Sequence, residues 1–261
     1  MIYTARKQAG FSIISLMIAS AIGLFLIGGA GKVYVNSKNA FTARSAIAAA
    51  TEGARFSIQD MRRTIVMAGR GVTEQDDNPG VYALPDNGRR TFPTIDPVNG
   101  IVDVDSNGSS IIAIRYAEGP APCGQGGTIS TTKTARFLID NNGNLVCQVL
   151  EDNYAQPLVS GLISMRALYG IDTDADDIAN QYLTANLVDF NGFWPNVVSI
   201  RIALISSSGN AVELPTIYRP AANEQIDLMG MSITAPDNFH VFKTASTTIS
   251  LRNMHTTIQR Q

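Results

Sequence analysis

The sequence has few side chains of the kinds that carry chemistry. Its 261 residues include two cysteines, two histidines and one tryptophan, and only 16% are charged. No H-E-x-x-H, G-x-S-x-G or phosphate-binding glycine loop occurs, so no catalytic constellation emerges and none is expected. His240 and His255 sit near the C-terminus without an acid that makes an obvious triad, and both read as ordinary surface histidines. A net charge of −2 removes any chain-wide basic surface for nucleic acid. Arg89-Arg90, beside Thr91-Phe92, reads as a short solvated charge pair. The cysteines, Cys123 and Cys147, are spaced wrongly for a zinc knuckle. In an oxidising compartment they read as a disulfide, which would stabilise by about 3.5 kcal/mol in the chain-entropy model. Hydrophobic content of 45% is ordinary for a folded chain.

Charge is also missing locally. Between Phe11 and Gly31 there is none, in the run FSIISLMIASAIGLFLIGGAG. About twenty apolar residues at helical rise span a hydrocarbon core of about 30 Å. Arg6 and Lys7 precede the run, which keeps the short leader on the cytoplasmic side. Three readings fit this pattern. A signal peptide would be cut after the run, near Gly28-Gly29-Ala30-Gly31; a plain anchor would not be cut; and a third type is cut at Gly10–Phe11, so that the run survives as the mature N-terminus.

The segment after the run favours the third. From Lys32 to Ala68 there is no proline, and only Gly53 interrupts good helix formers. Ala40, Ala43, Ile47, Ala50, Ala54, Ile58, Met61, Ile65 and Ala68 recur at spacings of three and four, making one apolar stripe. The pattern predicts a helix from Phe11 to about Ala68, some 85 Å long. Its second half would lay that stripe on a globular domain. A cleavable signal peptide has no reason to continue into such a helix.

The rest of the chain is strand-like. Ser110 to Tyr116 alternates, and Arg136 to Asp140 and Leu145 to Leu150 flank Asn141-Asn142-Gly143-Asn144 as a hairpin. Leu162 to Tyr169, Val197 to Ile205 and Thr247 to Leu251 are further predicted strands. The expected class is α+β: a long N-terminal helix packed on a mostly antiparallel sheet. Asp76-Asp77-Asn78-Pro79-Gly80 reads as a loop, Gly124, Gly126 and Gly127 as a turn beside the disulfide, and Trp194 as a buried loop anchor. The run Asp172-Thr173-Asp174-Ala175-Asp176-Asp177 resembles half of a calcium loop. Asp172, Asp174 and Asp176 would be side-chain ligands, Ile178 a carbonyl ligand and Asn180 a water-mediated one. Asp177 replaces the turn glycine and Leu183 the bidentate glutamate. A solvated acidic loop and a calcium site both stay open; no other cofactor is expected.

Gly10-Phe11, between a basic leader and an apolar helix, resembles the prepilin signal of type IV pilins and pseudopilins. The stretches Ala54-Arg55-Phe56, Asp60-Met61-Arg62-Arg63 and Met67-Ala68-Gly69 are similar to the helix end of PilW-type minor pilins. So are Leu158-Val159-Ser160-Gly161, Leu168 to Asp174, Val197 to Leu204, Phe242-Lys243-Thr244 and Leu251-Arg252-Asn253. The resemblance implies cleavage after Gly10 by a prepilin peptidase and methylation of Phe11. It divides the chain into a leader (1–10), a membrane and fibre-core segment (11–31), an amphipathic segment (32–69) and a periplasmic, later extracellular, β-rich domain (70–261).

The implied partners are the inner membrane with its assembly platform, the major pilin, other minor pilins and a large tip adhesin. Pilins of this kind carry glutamate four residues after the methylated phenylalanine, and here that register position is Ser15. Either the subunit sits at the fibre tip, where no earlier amine needs neutralising, or the Ser15 hydroxyl bonds to backbone carbonyls. The expected function is a minor pilin that helps start pilus assembly, for twitching motility, adhesion or DNA uptake. A J-type pseudopilin of type II secretion and a membrane-anchored periplasmic enzyme or binding protein are the alternatives.

Overall fold

The structure is a computed structural model that describes residues 12–71, 95–96, 100–101, 109–209 and 213–253. Helix α1 (Ile13–Ile65) opens the described chain. Ser12 caps it, its hydroxyl accepting from the Ile14 amide at 3.3 Å. Arg62 and Arg63 in the last turn suit the negative end of the helix dipole. Val66 is the C-cap, and Gly69 (φ 76°) and Gly71 (φ 68°) take left-handed conformations in the turns that follow. The helix thus ends at Ile65 rather than Ala68, and residues 66–71 form turns. Ala68 is still buried, so the stripe outlasts the helix.

Two antiparallel four-stranded sheets receive it. The first has the order β3-β6-β7-β8 and the second β10-β9-β11-β14. Their strands are β3 (Ile112–Tyr116), β6 (Lys133–Ile139), β7 (Asn144–Val149), β8 (Tyr154–Ser160), β9 (Leu162–Ile171), β10 (Gln181–Leu183), β11 (Val197–Ser207) and β14 (Phe242–Ser250). Three two-stranded pieces complete the set: β1 (Ile95–Asp96) with β2 (Gly100–Ile101), β4 (Gly119–Pro120) with β5 (Thr128–Ile129), and β12 (Gln225–Leu228) with β13 (Met231–Thr234). A short helix, α2 (Ala185–Phe190), lies between β10 and β11.

The β6–β7 hairpin forms where the asparagine-glycine turn predicts it. Asp140 accepts from the amides of Asn142 and Asn144 at 2.9 and 2.8 Å. Burial works against its charge, but the Asn144 side chain and these two amides hold its carboxyl below the usual range. Gly143 has φ 73°, and a β-carbon there would meet the Leu162 carbonyl oxygen at 2.8 Å, so this turn needs glycine.

One main core unites the helix with both sheets. Ala54, Met61 and Ile65 of α1 pack with Ile112, Ile114, Phe137, Cys147 and Val149 of the first sheet and Met165, Tyr169, Ile200, Ile202 and Leu204 of the second. Strand β11 is buried on both faces, which explains its nearly unbroken apolar sequence. Ile200, Ile202 and Leu204 face the main core, while Ala203 and Ile205 pack with Leu228, Ile226 and Met231 of the β12–β13 hairpin. Trp194 is the buried loop anchor. Its indole donates to Asp189 at 3.0 Å and meets Tyr169 edge-on, with centroids 5.1 Å apart.

Candidate functional site

The candidate functional element is α1 itself, and its two halves differ. Residues 13–38 are exposed except for half-buried Gly23. Among the described residues α1 is the one helix long and apolar enough to cross a membrane, and its apolar window is unburied. Leu24, Phe25 and Ile27 expose 72%, 82% and 71% of their surface. Apolar residues in every direction, with none of the described domain against them, call for an apolar medium or other helices.

From Ala43 onward one stripe turns inward: Ala43, Ala46, Ala50, Ala54, Ser57, Met61 and Ile65 are buried. Ile47 was expected in this stripe but is 43% exposed. Ala46 takes its place, because an i, i+3, i+4 path admits either residue and the smaller one fits the close contact. The small side chains let the helix sit tightly on β11, where the Ser206 hydroxyl donates to the Ala50 carbonyl. Ala43 and Ala46 pack with Leu214 and half-buried Val241. At the far end, the Asn253 side-chain amide donates to the carbonyls of Val66 and Ala68 at 3.1 and 3.3 Å. The pairings between Gly69 and Arg115 and between Ala117 and Arg70 tie the outgoing chain to β3.

Cys123 and Cys147 are joined with Cα atoms 5.3 Å apart, stapling the turn at Pro122–Gly124 to β7. Gly124, Gly126 and Gly127 all have positive φ, as a turn beside the bridge requires.

The acidic loop brings Asp172, Asp174 and Asp176 together, one carboxylate oxygen of each lying within 4.8 Å of the others. Asp172 is buried and accepts the amides of Asp174, Ala175 and Asp177 at 3.1, 2.7 and 2.8 Å. Burial opposes its charge, yet these amides together hold its carboxyl below the usual aspartate value. Asp177 sits at φ 65°, the left-handed conformation for which such loops usually use glycine. Asp176 accepts the Ile178 amide, and Asn180 accepts from the Thr173 amide and hydroxyl while donating to Asp174. Leu183 lies in β10, so no carboxylate stands in the twelfth position. The carboxylates of Asp172 and Asp176 thus already serve the loop's own backbone, and that of Asp174 accepts from the Asn180 side chain.

Comparison with known families matches two separate parts of the chain. The model of the prokaryotic N-terminal methylation motif matches residues 5–31. That of the type IV pilus-assembly protein W family matches residues 129–253, most of the second half of the chain. The chain belongs to the PilW-type minor pilins of type IV pili. Among solved structures, a type IV-like pilin from Thermus thermophilus is similar at a TM-score of 0.44 and 11% identity, over 78% of this chain and 97% of that one. No curated protein matches.

In this PilW-type pilin, Gly10 and Phe11, the expected processing residues, fall inside the matched methylation motif but outside the described residues. The Asp76–Gly80 loop, Arg89-Arg90 and His255 lie outside them too. Ser15 is exposed on the first turn of α1. Among the described residues, the α1 hydroxyls that bond back to carbonyls are those of Ser20, Thr42, Thr51 and Ser57, not Ser15. His240 is not without an acid, as Asp237 lies 2.8 Å from its Nδ1. That pair closes a local turn, with Asp237 also accepting the Phe239 and His240 amides. Sequence reasoning missed the two clamps of the helix, Ser206 and Asn253. Asn253 lies in a stretch that resembles the family, but its capping role depends on a contact with residues 185 and 187 positions away.

Proposed function

We propose that this minor pilin helps initiate assembly of a type IV pilus, as part of a priming complex with other minor pilins beneath a large tip adhesin. The observation behind the proposal is the continuity of α1: an exposed apolar half runs without a break into a half packed on the β-domain. Such a helix can leave lipid for a bundle of like helices without changing its apolar surroundings, while the domain rides along rigidly. Gly23, Gly28, Gly29 and Gly31 have no side chain and so allow close approach of neighbouring helices, and within this chain the space beside each of them is open. Before assembly the chain is anchored in the inner membrane with its domain in the periplasm. Prepilin peptidase cuts after Gly10, and Phe11 becomes N-methylated. The protein has no catalytic role in this reading.

Deleting the gene tests it. Surface fibres are lost, and with them twitching or DNA uptake, while exoprotein secretion continues. Lost secretion with intact fibres would instead mark a J-type pseudopilin. Ser15 fits placement at the tip, and Ser15→Glu then leaves fibre incorporation unchanged; a clear gain would contradict that placement. Calcium at Asp172, Asp174 and Asp176, with Ile178 and Asn180 completing the set, is a subordinate proposal supported by the convergence of the three carboxylates. Calorimetric titration with calcium that shows neither heat nor thermal stabilisation removes it.

A further inference from the structure

A sheet edge is a row of unpaired backbone donors and acceptors, and folded proteins usually block it. Among the described residues, three of the four edges of the two four-stranded sheets are blocked. Strand β10 is three residues long. Strand β8 carries Pro157 and a register shift opposite Leu145 and Val146. The end of β3 is paired with residues 69 and 70, and Ser109 and Ser110 join its start to β9.

Among the described residues, strand β14 has none of these devices. It pairs with β11 over nine consecutive residues without a shift, contains no proline and carries one charge, Lys243. The hydrogen bonds that flank it fix which groups face out. The Val241 carbonyl accepts from Ser208, and the Leu251 amide donates to Val198. Alternation in an antiparallel ladder then points the odd-numbered residues at β11. Phe242, Thr244, Ser246, Thr248 and Ser250 turn their N–H and C=O groups to the open side, and the last four are exposed.

We infer that the open edge of β14 takes up an extended segment of a different pilus subunit as an added strand, an inference that rests on the assembly role proposed above. The hydroxyl row Thr244, Ser246 and Thr248 suits a segment of β-branched and hydroxyl side chains on the same face. A second copy of this chain does not fit. Helix α1 and β14 run in the same direction, since Ala43 and Ala46 lie by Val241 and the helix end lies by Asn253. Antiparallel pairing of two β14 strands would therefore reverse one α1 against the other, which two chains anchored in one membrane cannot do. Parallel pairing about a two-fold axis along the strands would set each outward N–H against its own copy.

The parity of the strand supplies the test, in the full-length protein in its host. Ser246→Pro deletes an outward donor and leaves the β11 ladder intact, whereas Thr247→Pro deletes an inward one. The Ser246→Pro variant should keep its processing, and its melting temperature within ~4 °C of the parent, but lower surface fibres at least about tenfold, the loss expected from an edge bond and a ring clash. Thr247→Pro should melt well below the parent. A folded Ser246→Pro chain that supports normal fibre numbers overturns the edge proposal. If fibres survive deletion of the gene, the assembly role itself fails instead. Should Ser246→Pro not fold, a photo-crosslinking residue at position 246 decides. An adduct with another pilus subunit, absent when the crosslinker replaces Pro157, supports the inference; an adduct with a second copy, or none, overturns it.

Discussion

From Ile13 to Lys38 the residues of α1 are apolar on nearly all sides and exposed, whereas from Ala43 to Ile65 a single stripe is buried against two sheets. The backbone is the same throughout, and hydrophobicity is higher in the half that none of the described domain covers. Hydrophobicity alone therefore does not locate the core of this protein; periodicity does. A stripe marks where protein covers the helix, and its absence marks where lipid or other helices must do so.

Truncation in the two halves should separate them most widely. Met61→Ala, at a fully buried position in the main core, should cost about 2–5 kcal/mol and lower the melting temperature of the full-length protein in detergent. Leu24→Ala, at a position 72% exposed, should leave that temperature unchanged. Equal losses would mean that the first half also packs on the domain. Removing the disulfide comes next: with Cys123 and Cys147 both changed to serine, the β-domain should lose about 3.5 kcal/mol, read from urea unfolding, while membrane fractionation stays as in the parent. A protein that leaves the membrane fraction would show the two parts to be less independent than the structure implies.

The acidic loop should give the smallest effect. The Asp172 carboxyl titrates below its ordinary value. Its contribution is therefore complete above the unfolded value of about 3.9 and is lost as pH falls through the lower folded value. Asp172→Asn should lower thermal stability at neutral pH and flatten its decline in acid. Some decline should persist, because Asp140, Asp152 and Asp237 are also held low. Asp174, Asp176 and Asp177 share the loop, so the same scan on Asp174→Asn, expected to change little, isolates Asp172. An unchanged acid slope in Asp172→Asn would contradict the amide-cage account.

How legible each feature is in the sequence depends on how local its cause is. The helix, its inward stripe and the β6–β7 turn depend on spacings of a few residues and are readable, apart from the exchange of Ile47 for Ala46. Strand β11 is a continuous apolar run, and it extends only two residues beyond the predicted end. Strand β14 begins at Phe242, five residues before the predicted start, because Lys243 to Ser246 offers no apolar alternation. The residues turned toward the core there, Ala245 and Thr247, are small or polar and only half-buried. The three aspartates of the loop are readable as a cluster, but not that Asp172 is consumed by the loop's own amides. That depends on the left-handed turns at Ala175 and Asp177. The Ser206 and Asn253 clamps span 156 and more than 180 residues, and no local pattern announces them.

The central claim is that the exposed apolar half of α1 is kept, not discarded, and becomes the mature N-terminus. Mass spectrometry of the N-terminal peptide from the native protein tests it most directly. The account predicts a peptide that begins at Phe11 and carries one added methyl group. A start near Gly31, or an intact Met1, would contradict it.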